Sequence, residues 1–187
     1  KSLYVRIIRR CPTNYVRILF YRKLLGYRIG ENVKIGRCTI NCNTVIIGDN
    51  VLIRDNNSIS CDSLSVGSNT KIHSGNIIQG SSSFSMGNNS RIINEHFIDL
   101  WNDVKIGNNT WLAGKGSQLW THGSIHTKTG LKNLSIHIMD DVYVGSGVKI
   151  APGVLIKSIN LIGLGSVVYQ SVLTQKNIIV GNPATIV

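Results

Sequence analysis

The chain has no apolar stretch long enough to span a bilayer, and no signal peptide is visible in it. Cysteine is sparse. Cys11, Cys38, Cys42 and Cys61 form no C-x-x-C pair, and none lies near the later histidines at zinc-ligand spacing. Cys38 and Cys42 read as small fillers, and free thiols without a disulfide framework point to a reducing, cytoplasmic compartment. Acid is scarce as well: nine Asp and Glu stand against twenty Lys and Arg, a formal net charge of +11. Residues 1–30 hold Lys1, Arg6, Arg9, Arg10, Arg17, Arg22, Lys23 and Arg28 with no acid, so the imbalance sits at one end. The interleaved aromatic and basic pattern that stacks on bases is missing from the rest of the chain, which argues against a nucleic-acid partner. Proline is rare too, and Pro12 divides the basic end into two short predicted helices, 2–11 and 13–25. Leu3, Ile7, Ile8, Leu19 and Leu24 are among the apolar residues interleaved there. Two readings stay open for residues 1–25. They form a peripheral foot on the anionic inner face of the plasma membrane, or a cap on the open end of the domain that follows.

What the chain does have is a six-residue repeat. An aliphatic residue recurs at Ile138, Val144, Ile150, Ile156, Ile162 and Val168 without a break in phase. An earlier run reads Ile29, Ile35, Ile47, Ile53 and Ile59, with Asn41 standing in once. Neither a helix nor a long alternating strand has a period of six. A coil of short parallel strands does, because each hexad supplies one strand, one corner and one inward aliphatic side chain. Gly often follows the aliphatic residue, as at Gly30, Gly48, Gly67 and Gly107, and the pair after it holds Asn or Asp, as in Glu31-Asn32, Asp49-Asn50, Ser68-Asn69 and Asn108-Asn109. Those residues tolerate the positive φ of a tight corner. An ordinary β-sandwich of short strands is the alternative, and it would not hold the phase.

The phase slips mark insertions. One extra residue between Ile59 and Val66 predicts a bulge, and two extra fall around Leu100-Trp101-Asn102-Asp103 between Ile98 and Ile106. The large interruption predicts a loop at 113–137, carrying Trp120, His122 and His126. A solenoid does not need such an excursion, and Trp and His beside a rigid wall are where chemistry tends to sit.

Hexads such as Ile106-Gly107-Asn108-Asn109-Thr110 and Val144-Gly145-Ser146-Gly147-Val148, with the ending Val180-Gly181-Asn182-Pro183-Ala184, resemble the hexapeptide-repeat acyltransferases. The resemblance covers residues 29–187 and implies a left-handed parallel β-helix of roughly seven coils, after a helical segment at 1–28. His96-Phe97-Ile98-Asp99, Trp111-Leu112-Ala113-Gly114 and Leu119-Trp120-Thr121-His122 are similar to O-acetyltransferases of bacterial polysaccharide and lipopolysaccharide assembly. That resemblance implies a homotrimer, acetyl-CoA as co-substrate and a sugar or glycan acceptor, lipid-linked ones included, with no metal.

Acetyl transfer to a hydroxyl needs a base, because an alcohol is a poor nucleophile at neutral pH. His122 is the candidate base, with Asp99 as the group that orients it. His96 occupies a hexad position that is usually small, so it either crowds the corner or opens toward a site, where it binds acceptor or replaces His122 as the base. Asn94 is a candidate for a sugar hydroxyl and Trp120 for the flat face of a sugar ring. For the co-substrate, the resemblance places contacts at Gly145, Ser146, Leu164 and Gly165, with the Gly181-Asn182-Pro183 turn beside the adenine. Relatives often carry Thr-Lys where this chain has Tyr169-Gln170, and Lys or Arg where it has Thr185. Phosphate recognition then passes to Lys149, Lys157 or Lys176, or to a neighbouring subunit. The same groups would serve an amino-sugar N-acetyltransferase. A carbonic-anhydrase-like zinc enzyme would need three of His73, His96, His122, His126 and His137 to converge, and no spacing selects a triad. A non-catalytic scaffold is the third class, and the His- and Trp-bearing loop speaks against it.

Overall fold

One aliphatic side chain per hexad goes inward, and the series Ile138 to Val168 is buried throughout. Each buried Val or Ile contributes roughly 1.5–3 kcal/mol relative to exposure, and the stacked rows make one continuous core. In a computed structural model describing residues 1–123, 130 and 133–187, these hexads form a parallel β-solenoid of about eight coils. Successive strands fall on three faces in turn, and each strand lies beside its counterpart one coil on, as Tyr143 beside Leu161 and Lys149 beside Val167.

The first face holds Phe84–Met86, Val104–Ile106, Ile136–Ile138 and Leu155–Ile156. The second runs from Lys34–Ile35 through Arg91–Asn94 and Trp111–Lys115 to Asn177–Gly181. The third holds Ile77–Gly80, Phe97–Leu100, Gln118–Leu119, Lys149–Ile150 and Val167–Val168. Early in the chain the strands Thr39–Ile47 and Ser58–Val66 turn the corner from the third face to the first without ending. They stay in register at both ends, so the expected bulge is absent between them. The extra residue is taken up at the corner of both coils, where Asn43 donates to Asp62 at 2.9 Å. Ile40 goes inside on this strand, and Asn41, which the hexad phase would point inward, is only partly buried on the other side of it.

The corner from first to second face explains the Gly-Asx pairs. A Cβ on Gly107 would run into Asp140 of the next coil, its backbone nitrogen at 2.6 Å. Asn109 then takes φ +51°, and its side chain donates to Asp141 one coil on at 3.2 Å. The same stacking joins Asn32, Asn50 and Asn69.

Two helices, α1 (Ser2–Arg10) and α2 (Asn14–Leu25), close the open end of the first coil. Val5, Ile8 and Tyr21 are buried there. Thr13 caps α2 by accepting from the Val16 N–H, and Gly26 ends it in the left-handed conformation. The cap is polar inside as well. Arg17, buried, donates to the carbonyls of Ile35 at 2.8 Å and Cys11 at 2.6 Å, and Arg22 to that of Ile29 at 2.6 Å. The Ile35 and Ile29 carbonyls belong to the first coil, which has no preceding strand to cover them, and Cys11 is the C-cap of α1. Among the described residues no helix is long and apolar enough to cross a membrane.

The chain stays in the coil further than the expected loop at 113–137 allowed. Trp111–Lys115 and Gln118–Leu119 are strands of the second and third faces, and Gly114 and Gly116 are corner residues with φ +65° and +75°. The departure comes after Leu119, and the solenoid has about eight coils where the resemblance implied roughly seven. His126 lies outside the described residues.

Candidate active site

The site is built where the third face ends. Ile98 lies beside Leu119, both buried, so Asp99 is turned to the other side of its strand and meets the segment that follows Leu119. Asp99 Oδ2 accepts the Thr121 backbone N–H at 3.0 Å and lies 2.8 Å from the Thr121 hydroxyl and 2.9 Å from His122 Nδ1. Thr121 Oγ1 in turn accepts the Asn102 N–H at 2.9 Å, and Asn102 Nδ2 donates to the Thr121 carbonyl at 2.8 Å. This clasp holds the departing chain against the corner at 101–102. It is what fixes His122.

Burial pushes the Asp99 carboxyl upward, but the hydrogen bonds from His122 and Thr121 outweigh it and hold the group below the usual carboxylate range. An ionised carboxylate only accepts, so Nδ1 of His122 is the donor in this pair, and in the neutral ring the lone pair then lies on Nε2. No described residue is hydrogen-bonded to Nε2. Two indoles lie near the imidazole, Trp120 at 5.8 Å and Trp101 at 6.1 Å between ring centroids, and Phe97 supports Trp120 at 4.8 Å. The His122 side chain is half exposed, so the pair opens outward from a walled floor. Such an arrangement can accept a proton from a hydroxyl placed against Nε2. Trp101, Asn102 and the clasping role of Thr121 were not singled out from sequence. The two-residue slip between Ile98 and Ile106 was the available signal, since it lies on Trp101 and Asn102.

His96 lies elsewhere. It is 1 % exposed, inside a column of corner side chains that each accept an N–H from the next coil. Asn57 accepts from Asn76, Asn76 from His96, and His96 Nδ1 from Ser117 at 3.0 Å. Burial pushes its pKa from 6.5 down to about 4, and the hydrogen bond it makes requires the neutral ring. A base depressed in this way contributes stability that is whole above pH 6.5 and lost as pH falls toward 4. His96→Asn repeats the rung already used by Asn57 and Asn76. It should therefore flatten stability between those pH values and keep turnover within about threefold of the parent. Melting scans across pH, run beside an activity assay, check both parts. A dead but well-folded His96→Asn protein would return His96 to the chemistry.

The other expected residues divide between two places. Gly145, Ser146, Leu164 and Gly165 lie along the corner from second to third face, where Gly165 donates to the Ser146 carbonyl at 2.8 Å. A Cβ on Gly145 would meet the Leu164 nitrogen at 2.7 Å, which keeps that corner tight, while Leu164 itself is 82 % exposed. Asn94 belongs to this corner, beside Lys115 and accepting from the Ser74 N–H at 3.1 Å, rather than to the His122 end of the face. Lys149 is exposed on the third face beside Gln118. Gly181, Asn182 and Pro183 make the hairpin between the last strands, and the Gly181 N–H donates to Ser166 Oγ at 3.2 Å. Trp120 alone of the acceptor candidates stands at the Asp99–His122 pair. Among the described residues no three His, Cys, Asp or Glu side chains converge as metal ligands.

No family model and no curated protein matches the chain. Solved structures do. The polysialic-acid-specific acetyltransferase NeuO is 24 % identical over 86 % of this chain and 81 % of its own, with a TM-score of 0.55. A mutant of AntD, an N-acyltransferase from Bacillus cereus solved with dTDP and coenzyme A, is 20 % identical over 88 % of this chain and 85 % of its own, with a TM-score of 0.56. Likeness at this identity is a likeness of backbone. The chain has the hexapeptide-repeat β-helix fold of these acyltransferases.

Proposed function

We propose that the protein is an acetyl-CoA-dependent O-acetyltransferase for a sugar hydroxyl of a bacterial surface glycan. One observation carries the reading: His122, its side chain half exposed, is held through Nδ1 at 2.9 Å on the buried Asp99 carboxylate. His122 Nε2 takes the hydroxyl proton as the oxygen attacks the thioester carbonyl. Asp99 stabilises the imidazolium that results, and His122 returns the proton to the departing thiolate, leaving an acetyl ester, free coenzyme A and the enzyme unchanged. Trp101 and Trp120 give the sugar ring flat apolar faces near the base. The corner at Gly145, Ser146, Leu164 and Gly165 would receive the pantetheine arm, with Lys149 toward its phosphates and Gly181–Pro183 toward the adenine. A neighbouring subunit in a trimer would complete that groove. Leu3, Tyr4, Ile7 and Tyr15 are exposed on the helical cap among arginines, and they suit a peripheral seat on an anionic inner membrane face.

Mass spectrometry of surface glycans from cells with and without the protein tests the reading. One acetyl group is expected to disappear with the protein and to be removed by mild base, as an ester is. A base-resistant acetyl would assign N-acetylation of an amino sugar, and identical glycans would overturn acetyl transfer to this class of acceptor.

A further inference from the structure

The arginines of the basic end fall into two sets. Arg17 and Arg22 are directed at carbonyls of the first coil. Arg6, Arg9 and Arg10 of α1, and Arg37 of the first coil, make no guanidinium hydrogen bond or ion pair among the described residues. All four line one groove of about 880 Å³ between α1 and the coil, with Asn41 on the coil side and Leu3 and Ile7 on the helix side. Asp55, whose carboxylate accepts the Arg37 backbone N–H at 2.5 Å, does not line the groove. Four like charges around one concavity repel one another unless an anion lies between them, and planar guanidiniums match the oxygens of phosphate two at a time.

The groove is in register with the site. Asn41 lies beside Ser60, Ser60 beside Gln79, and Gln79 beside Asp99, in one column of the third face. Three strand spacings separate Asn41 from Asp99, about 14 Å. Every member of that column is polar. We propose that the groove is a subsite for the diphosphate of the glycan precursor, whose sugars lie along this column to His122. The inference rests on the acetyl-transfer reading for what the bound molecule is, and on the arginines alone for where it binds. The span exceeds one pyranose ring, so the acetylated sugar is not the one attached to phosphate. A lipid-linked and a nucleoside diphosphate share this chemistry, and Leu3 and Ile7 offer apolar surface to the first.

Calorimetric titration of the full chain with inorganic pyrophosphate, uridine diphosphate and farnesyl diphosphate tests the site, against an Arg6→Gln/Arg9→Gln/Arg37→Gln variant. These side chains have no partners to lose, so the variant is expected to melt like the parent. Pyrophosphate should bind the parent and bind the variant at least about tenfold more weakly, the scale of one or two lost charge-assisted contacts. Tighter binding of the farnesyl ester would select the lipid source, and of uridine diphosphate the nucleoside source. Pyrophosphate that does not bind, or binds both proteins equally, overturns the subsite. So does a variant whose sole defect is lost attachment to phosphatidylglycerol–phosphatidylcholine vesicles, which would give the arginines to the bilayer. Acetyl-CoA is titrated into both proteins in parallel. Arginine-dependent pyrophosphate binding without any acetyl-CoA binding would remove the acetyl-transfer reading and leave the anion site standing.

Discussion

His122→Ala is expected to lower turnover by about a hundredfold or more while acetyl-CoA affinity stays nearly intact, the usual scale for a lost general base. The side chain is half exposed and hangs on Asp99, so removing it leaves the coil as it was, with Thr121 still clasped to Asp99 by its N–H and hydroxyl. Asp99→Asn should lower turnover by a smaller factor. It removes the charge that stabilises the imidazolium but keeps an oxygen in place to accept from Nδ1 and Thr121. Turnover and co-substrate binding must be measured on the same preparations, so that misfolding is not counted as lost chemistry. Near-parental turnover by His122→Ala would end its assignment as the base.

The largest expected effect on stability is at Gly80. This residue ends a third-face strand at φ +154°, where a side chain is strained, and a Cβ there would meet the Leu100 Cα at 2.7 Å and run into its carbonyl group. Backbone cannot move aside as a side-chain tip can. Leu100 also accepts the Ser82 N–H at 2.9 Å and stands between Asp99 and Trp101, so displacing it disturbs the floor of the site. Gly80→Ala should cost about 3 kcal/mol or more, from strain and collision together. For a chain of this size that lowers the melting temperature by about 6–12 °C, and turnover should fall with it. Gly116→Ala separates the two causes, since Gly116 has φ +75° and open space around its Cβ position. Strain alone there should cost about 1 kcal/mol. Equal melting shifts in the two variants would show that the contact with Leu100 is not what holds Gly80.

The hexad period was legible because a stacked coil allows only one thing at its inward position, and Ile138 to Val168 obey it without exception. The corners were legible for a similar reason: Gly107 touches the next coil and Asn109 needs positive φ, so residue type and geometry are tied one to one. The contact of His122 with Asp99 joins two residues that sequence had already coupled. His96 was harder to place. A polar side chain at a corner position is compatible with an open site or with an interior ladder, and the choice depends on Asn76 below and Ser117 above, in other coils. The start of the excursion was misjudged because Gly114 and Gly116 look like loop residues, whereas they turn a corner of the coil. In the sequence Arg17 and Arg22 are two of eight basic residues at one end, with nothing to set them apart from the others. Only the missing strand beyond the first coil shows why carbonyls there need donors.

The same coil period bears on how such a protein changes over generations. A tandem duplication of one whole turn anywhere between Asn41 and Asp99 would leave every corner, rung and inward position intact. It would move the arginine groove away from His122 by a single increment of about 4.8 Å. Deleting a turn would bring them closer by the same amount. The distance between the arginine groove and His122 is thus inherited as an integer. For a substrate that spans both, a shift in preferred length would need no rebuilding of either end, and intermediate spacings would not be available to the lineage.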